Sequence, residues 1–162
     1  MKPRIVTIGV YGFKEEQFFQ ALLDARVDTF CDIRRRRGMR GSEYAFANSA
    51  RLQQRLQELD IKYIHVKDLA PSQAIRDQQK QEDEQAGVAK RSRTSLGQSF
   101  IAAYEHDCLA HFNSSAFIDG LGQDSHIISL FCVEREPEAC HRLLAANKLA
   151  RDLKLPVGHI KP

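Results

Sequence analysis

Tryptophan is absent from these 162 residues and methionine occurs twice. No apolar run approaches the ~18–20 residues that a membrane helix needs, so no membrane partner is expected. The chain also lacks a leader pattern: Met1-Lys2-Pro3-Arg4 runs straight into strand-like sequence, which predicts no signal peptide. Its four cysteines are too few for a disulfide framework, and without a secretory leader the expected state is reduced thiols in a cytoplasm. A glycine-rich phosphate loop is missing as well. Gly9-Val10-Tyr11-Gly12 has neither the spacing nor the lysine of one, so ATP, NAD and cofactors in general receive no support. Internal repeats and low-complexity tracts are absent. What remains, with 43% hydrophobic residues, is one domain over residues 1–162 with enough apolar sequence for a proper core.

The net charge of +3 is small but unevenly placed. Residues 34–67 hold nine Lys/Arg against three acids, whereas residues 68–90 hold five acids against three bases. Arg34, Arg35, Arg36, Arg37 and Arg40 stand in a glycine-containing loop without an acid among them. Such a patch attracts a polyanion, nucleic acid or another phosphate-bearing anion; its plain alternative is a solvated charged face.

β-Branched runs predict strands over residues 4–10, 27–33, 61–66 and 126–132, with a short closing strand at 157–160. Helical spacing of Phe18, Leu22 and Ala25 predicts a helix over 14–25. Leu52, Leu56 and Leu59 predict another that starts at Asn48 or Ser49 and runs to residue 58, and Leu96, Phe100, Tyr104, Cys108 and Phe112 a third. Residues 114–121 add one or two helical turns, and 137–153 a last helix. Residues 68–95 are polar and weakly periodic. They are read as an insertion or lid with a mainly solvent-facing helix over 73–85 and a flexible stretch over 91–95. The alternation predicts a single α/β domain with a mostly parallel central sheet, helices on its faces and a polar site at the carboxyl ends of the strands.

That edge collects Tyr11 after the first strand, Asp32 and Arg34 after the second, His65 after the third, and Cys132 and Glu134 after the fourth. The segment Phe131-Cys132-Val133-Glu134-Arg135-Glu136-Pro137-Glu138-Ala139-Cys140-His141-Arg142 is the densest in chemistry. Pro137 suits a first helical position, which places Cys140 near the fourth residue, at the positive helix end that lowers a thiol pKa. Cys132 and Cys140 are either reactive thiols or core packing. Arg142 offers a planar fork to phosphate, or pairs with Asp32 or Glu134 as architecture. A zinc reading would join Cys132, Cys140 and His141 to a fourth ligand such as His65. The spacing fits no common zinc knuckle and a second Cys-x-x-Cys arm is missing, so no metal is assigned.

Thr7-Ile8-Gly9, Asp32-Ile33-Arg34, Tyr63-x-His65-x-x-x-Leu69 and Cys132-x-Glu134 followed by Cys140-His141-Arg142 together resemble the domain of unknown function 488 family, over nearly the whole chain. The resemblance implies a compact α/β domain with a polar site built from these motifs, and it implies no activity. Members often read Asp-Val-Arg-x-x-Pro-x-Ser, where this chain has Arg37 and Met39 at the last two marked positions, an arginine-rich version suited to a more anionic partner.

Two functions follow. The first is an enzyme on a phosphate-bearing substrate, nucleic acid being one. Asp32, Glu134, Cys132, Cys140 and His141 would be its catalytic groups, Arg34, His65, Arg142 and Tyr11 would hold the substrate, and Arg35, Arg36, Arg37 and Arg40 would meet further phosphates. The second is a non-catalytic nucleic-acid-binding module with structural cysteines.

Overall fold

A computed structural model describes residues 2–162, the side chain of Arg91 excepted. Five strands form one sheet: β1 (Arg4–Gly9), β2 (Thr29–Asp32), β3 (Lys62–His65), β4 (Ile127–Cys132) and β5 (Val157–Ile160). The order is β3-β2-β4-β1-β5 and every pairing is parallel. Strand ends coincide with those of the predicted runs or fall one or two residues inside them. The helices are α1 (Glu15–Asp24), α2 (Ser49–Glu58), α3 (Gln73–Ala86), α4 (Gln98–Asp107), α5 (Ser114–Leu121) and α6 (His141–Leu153). For this strand order the right-handed crossover rule places α1 and α2 on one face and α3 to α6 on the other, and α4 and α5 both pack on α6. No helix of the described residues is long and apolar enough to cross a membrane.

Side chains on a strand alternate between the faces, and this divides the core. Phe30 and Phe131 project toward α1, where both meet Phe18 edge-on, with centroids 6.4 and 5.6 Å away, and meet each other in a tilted contact at 5.0 Å. Cys132 projects the other way, toward α6. The register levels the strand ends: Gly9 lies opposite Cys132, and Asp32 lies opposite both Phe131 and His65.

The expected helix over 137–153 is instead a 3-10 turn, Pro137–Ala139, followed by α6 from His141. Cys140 is the extended N-cap of α6, with φ −137° and ψ 148°, and not its fourth residue. A continuous helix would need the carbonyls of Glu138 and Ala139 for its own ladder. Here Leu96 N–H donates to Glu138 O at 3.1 Å, and the Arg93 guanidinium donates to Ala139 O at 3.2 and 3.0 Å. The helix expected over 96–112 likewise breaks at Cys108, and a 3-10 turn at Leu109–His111 follows.

Residues 70–97 hold more structure than their polarity suggests. Ser72 caps α3 by accepting from Ile75 N–H, and Gly87 closes it in the left-handed conformation at φ 69°. Ile75, Gln79 and Asp83 form its buried stripe.

Candidate active site at the strand ends

The residues expected in one polar cleft lie in two clusters, on opposite faces of the sheet. On the α1 side, Asp32 is fully buried. It accepts from Arg34 Nε at 2.9 Å, Arg34 Nη2 at 2.8 Å, the Arg34 backbone N–H at 3.1 Å and Tyr63 Oη at 2.7 Å. The Arg34 guanidinium lies 4.7 Å above the Phe131 ring. Asp32 thus carries a bidentate guanidinium and a phenol, which compensates a charge that is otherwise costly to bury. His65 donates from Nε2 to Arg34 O at 2.8 Å and fixes the path of the following loop.

The second cluster lies between β4 and α6. Cys132, Glu134, Cys140 and His141 are all buried. His141 donates from Nε2 to Ile33 O at 2.9 Å, which leaves Nδ1 facing the sulfurs of Cys132 and Cys140, each at 3.8 Å. The three ligand-type atoms lie within 4.8 Å of one another. Tyr104 packs on this cluster, its ring edge-on to His141 and its hydroxyl donating to Leu69 O at 2.6 Å.

Burial drives the electrostatics. It pushes the Cys132 thiol well above its ordinary range, helped by Cys140 and Glu134. Burial pushes Cys140 up as well, but Cys132, His141 and Arg142 outweigh it and bring the Cys140 thiol well below its ordinary range. Burial, then Cys140, raise the Glu134 carboxyl. One sulfur of the pair is thereby favoured as the thiolate.

Glu134 is bridged to the segment after α3. Its Oε1 accepts from Arg93 Nη2 at 2.8 Å, with Lys90 Nζ at 3.7 Å, while its Oε2 is buried without a hydrogen-bond partner among the described residues. Arg93 also donates to Asp83 at 2.7 Å, and Asp83 accepts from Gln79, which itself accepts from Gly97 N–H. One polar chain therefore runs from α3 to the strand-to-helix turn.

Arg142 is fully buried and shapes that turn. It donates to the carbonyls of Glu134 and, at 3.0 Å, Arg135. Gly9 makes the approach possible: a Cβ there would stand 1.8 Å from Glu134 O and 2.8 Å from Arg142 Nη1.

The family described as Domain of unknown function DUF488 matches residues 14–149, most of the chain. This protein belongs to the DUF488 family. Neither the curated proteins nor the solved structures yield a match. The DUF488 motifs noted in the sequence map onto both clusters: Asp-Ile-Arg and Tyr63 build the first, Cys-x-Glu and Cys-His the second, and Arg142 and Gly9 the turn between them.

Of the remaining expected residues in this DUF488 chain, Arg35, Arg36 and Arg40 are exposed. Arg37 is partly exposed and donates to Tyr63 Oη at 3.4 Å. Tyr11 packs against Tyr44, the ring centroids 5.2 Å apart. Sequence reasoning gave no site role to Arg93, Lys90, Asp83 or Tyr104. The first three lie in or beside the aperiodic 68–95 stretch, where no local pattern distinguishes a buried charge from a solvated one.

Proposed function

We propose that this protein is an enzyme acting on a phosphate-bearing polymer, with nucleic acid the class that fits. One observation carries the reading. Parallel strands bring all their following connections to one edge, and exposed bases stand in four of the loops that leave it, the edge that also carries the buried thiol–imidazole–carboxylate cluster. These are Lys14 after β1, Arg35, Arg36 and Arg40 after β2, Lys67 after β3, and Arg135 after β4. The exposed carboxylates in the same four strand-to-helix loops are Glu43, Asp68 and Glu138, three against six bases, so the rim is positive on balance. β1 and β2 lead to helices on one face while β4 between them leads to the other, the switch-point arrangement where open α/β sheets bind ligands.

The roles follow from position. The exposed arginines meet phosphates. Arg34 and Arg142 hold the protein's own Asp32 and turn carbonyls, and so act as positioning residues. Glu134 is the acid/base group and Cys132, Cys140 and His141 the reacting centre. A second reading, a binding module without catalysis, is favoured by one feature: Glu134 is already engaged by Arg93 and Lys90.

Fluorescence anisotropy with labelled single-stranded and duplex oligonucleotides over a salt series tests binding. Affinity should fall with salt, and the triple variant R35A/R36A/R40A should reduce the slope of log K against log salt by about 2–3. A flat response of the wild type at low ionic strength sinks the polyanion reading. Incubating the same oligonucleotides with wild type and Glu134→Gln separates the two functions. Product from wild type alone supports the enzyme; equal binding with no product from either leaves the binding module.

A further inference from the structure

We infer that Cys132, Cys140 and His141 form a binding site for a divalent transition metal, zinc being the ion that their chemistry selects. The inference concerns the same centre as the proposed reaction but does not depend on its substrate.

The donor set is the first argument. Two thiolates and one imidazole suit zinc and disfavour the hard ions magnesium and calcium. Geometry is the second. With Zn–S near 2.3 Å and Zn–N near 2.05 Å, tetrahedral angles separate sulfur from nitrogen by about 3.6 Å. Both Cys–His141 separations are 3.8 Å, and the three donor atoms lie within 4.8 Å of one another. Each sulfur–nitrogen separation needs to shorten by only about 0.2 Å, and the sulfurs, no more than 4.8 Å apart, to settle near 3.8 Å around the ion.

The tautomer is the third. Donation from Nε2 to the Ile33 carbonyl at 2.9 Å commits the neutral ring to a bare Nδ1, and Nδ1 is the atom that faces the sulfurs. A backbone carbonyl behind the distal nitrogen is the usual support of a metal-bound histidine. Core packing of two thiols requires no such orientation.

The local sequence places the donors without the knuckle spacing that marks most zinc sites. Cys132 ends β4, whereas Cys140 and His141 are the N-cap and first residue of α6. The interruption at Cys140 brings both side chains under the strand end. Among the described residues no fourth His, Cys, Asp or Glu joins the three. Three protein ligands leave one tetrahedral position open, the arrangement of catalytic rather than structural zinc. Glu134 Oε2, buried and without a partner among the described residues, is available to a hydrogen bond from a water held there.

The test uses the full chain, purified under a non-thiol reductant and stripped with a chelator. Equimolar zinc should bind at one ion per chain, raise the melting temperature and release protons as the thiols ionise. Cobalt should give ligand-field bands of four-coordinate cobalt with a thiolate charge-transfer band, and X-ray absorption of the zinc form should show two sulfur and one imidazole scatterers. These spectra need no variant, so they hold even if a ligand substitution prevents folding. Cys132→Ser, Cys140→Ser and His141→Gln should each lower zinc affinity at least tenfold, whereas Cys31→Ser and Cys108→Ser should leave it unchanged. Failure of the reduced wild type to hold zinc, or a spectrum without sulfur ligands, overturns the inference. Equal loss in the Cys31 or Cys108 variants overturns it as well. Oligonucleotide binding is read separately, so either proposal can fail alone.

Discussion

Arg93 is the residue on which the covering segment depends, and its replacement gives the sharpest test of the architecture. Arg93→Met keeps an apolar stem and removes five donors. Lost with them are the bonds to Glu134 at 2.8 Å, Asp83 at 2.7 Å and the Ala139 carbonyl at 3.0 and 3.2 Å. The Arg93 and Glu134 side chains are 9% and 6% exposed, so solvent replaces little of this. Breaking a buried ion pair by removing one partner costs about 3–5 kcal/mol. At roughly 2–4 °C per kcal/mol for a chain of this size, the melting temperature should fall by roughly 6–20 °C.

Lys90 at 3.7 Å offers Glu134 a weaker substitute, which places the expectation toward the lower end. Glu134→Gln keeps the shape of the acceptor and removes its charge. Because the two substitutions remove one shared interaction, the double variant should lose less than the sum of the singles, by about 1.5–3 kcal/mol, the range for hydrogen bonds to charged groups. Urea denaturation of the four proteins measures this cycle. Hydrogen exchange should show the largest loss of protection over residues 73–97, since that segment is tied to the sheet edge through Arg93. A cost below about 1 kcal/mol for Arg93→Met, with a coupling inside the ~0.5 kcal/mol expected of independent sites, refutes the reasoning.

Other outcomes follow from single contacts. Gly9→Ala should cost roughly 3 kcal/mol or more by chemical denaturation, because its Cβ would overlap the Glu134 carbonyl and the strand-to-helix turn must move. Asp32→Asn should cost about 3–5 kcal/mol, since it leaves the Arg34 guanidinium buried without its charge partner; a melt within 2 °C of wild type contradicts the structural role. Burial pushes the Cys31 thiol up to about 12, so at pH 8 only about one molecule in ten thousand carries the reactive thiolate. A thiol reagent should therefore react with Cys31 only on unfolding, and rapid modification of that residue in the native protein counts against its position in the core.

Much of the architecture was legible because single side chains carried it. The β-branched runs ending at Gly9, Asp32 and Cys132 marked the buried parallel strands, and the Phe18–Leu22 and Leu52–Leu56 spacings marked the helices beneath them. Asn48 marked a helix start by residue type, although its side chain accepts from Met39 N–H and leaves α2 without a side-chain cap bond. The break at Cys140 was not legible. Pro137 is as good an opening for an α-helix as for a 3-10 turn. The choice was made by Arg93 and Leu96, more than forty residues upstream, which occupy the carbonyls that a longer helix needs.

The division of the polar residues has a similar origin. Asp32 and Cys132 both end strands on the same edge, and the sequence invites placing them together. Their faces depend on register. Asp32 lies opposite Phe131, and Cys132, one residue on, points to the other side of the sheet. A one-residue offset in pairing thus decides whether two reactive groups meet, and nothing local to either strand encodes that offset. The consequence reaches the chemistry. Asp32 and Arg34 bind each other on one face, where Arg34 Nη1 is buried without a partner among the described residues. At the strand-to-helix turn Glu134 Oε2 and Arg142 Nε are also buried without one, and Nδ1 of His141 meets the two sulfurs only at 3.8 Å. A buried polar group that has no partner among the described residues is costly to keep, and beside the sulfurs and imidazole a ligand would repay part of that cost.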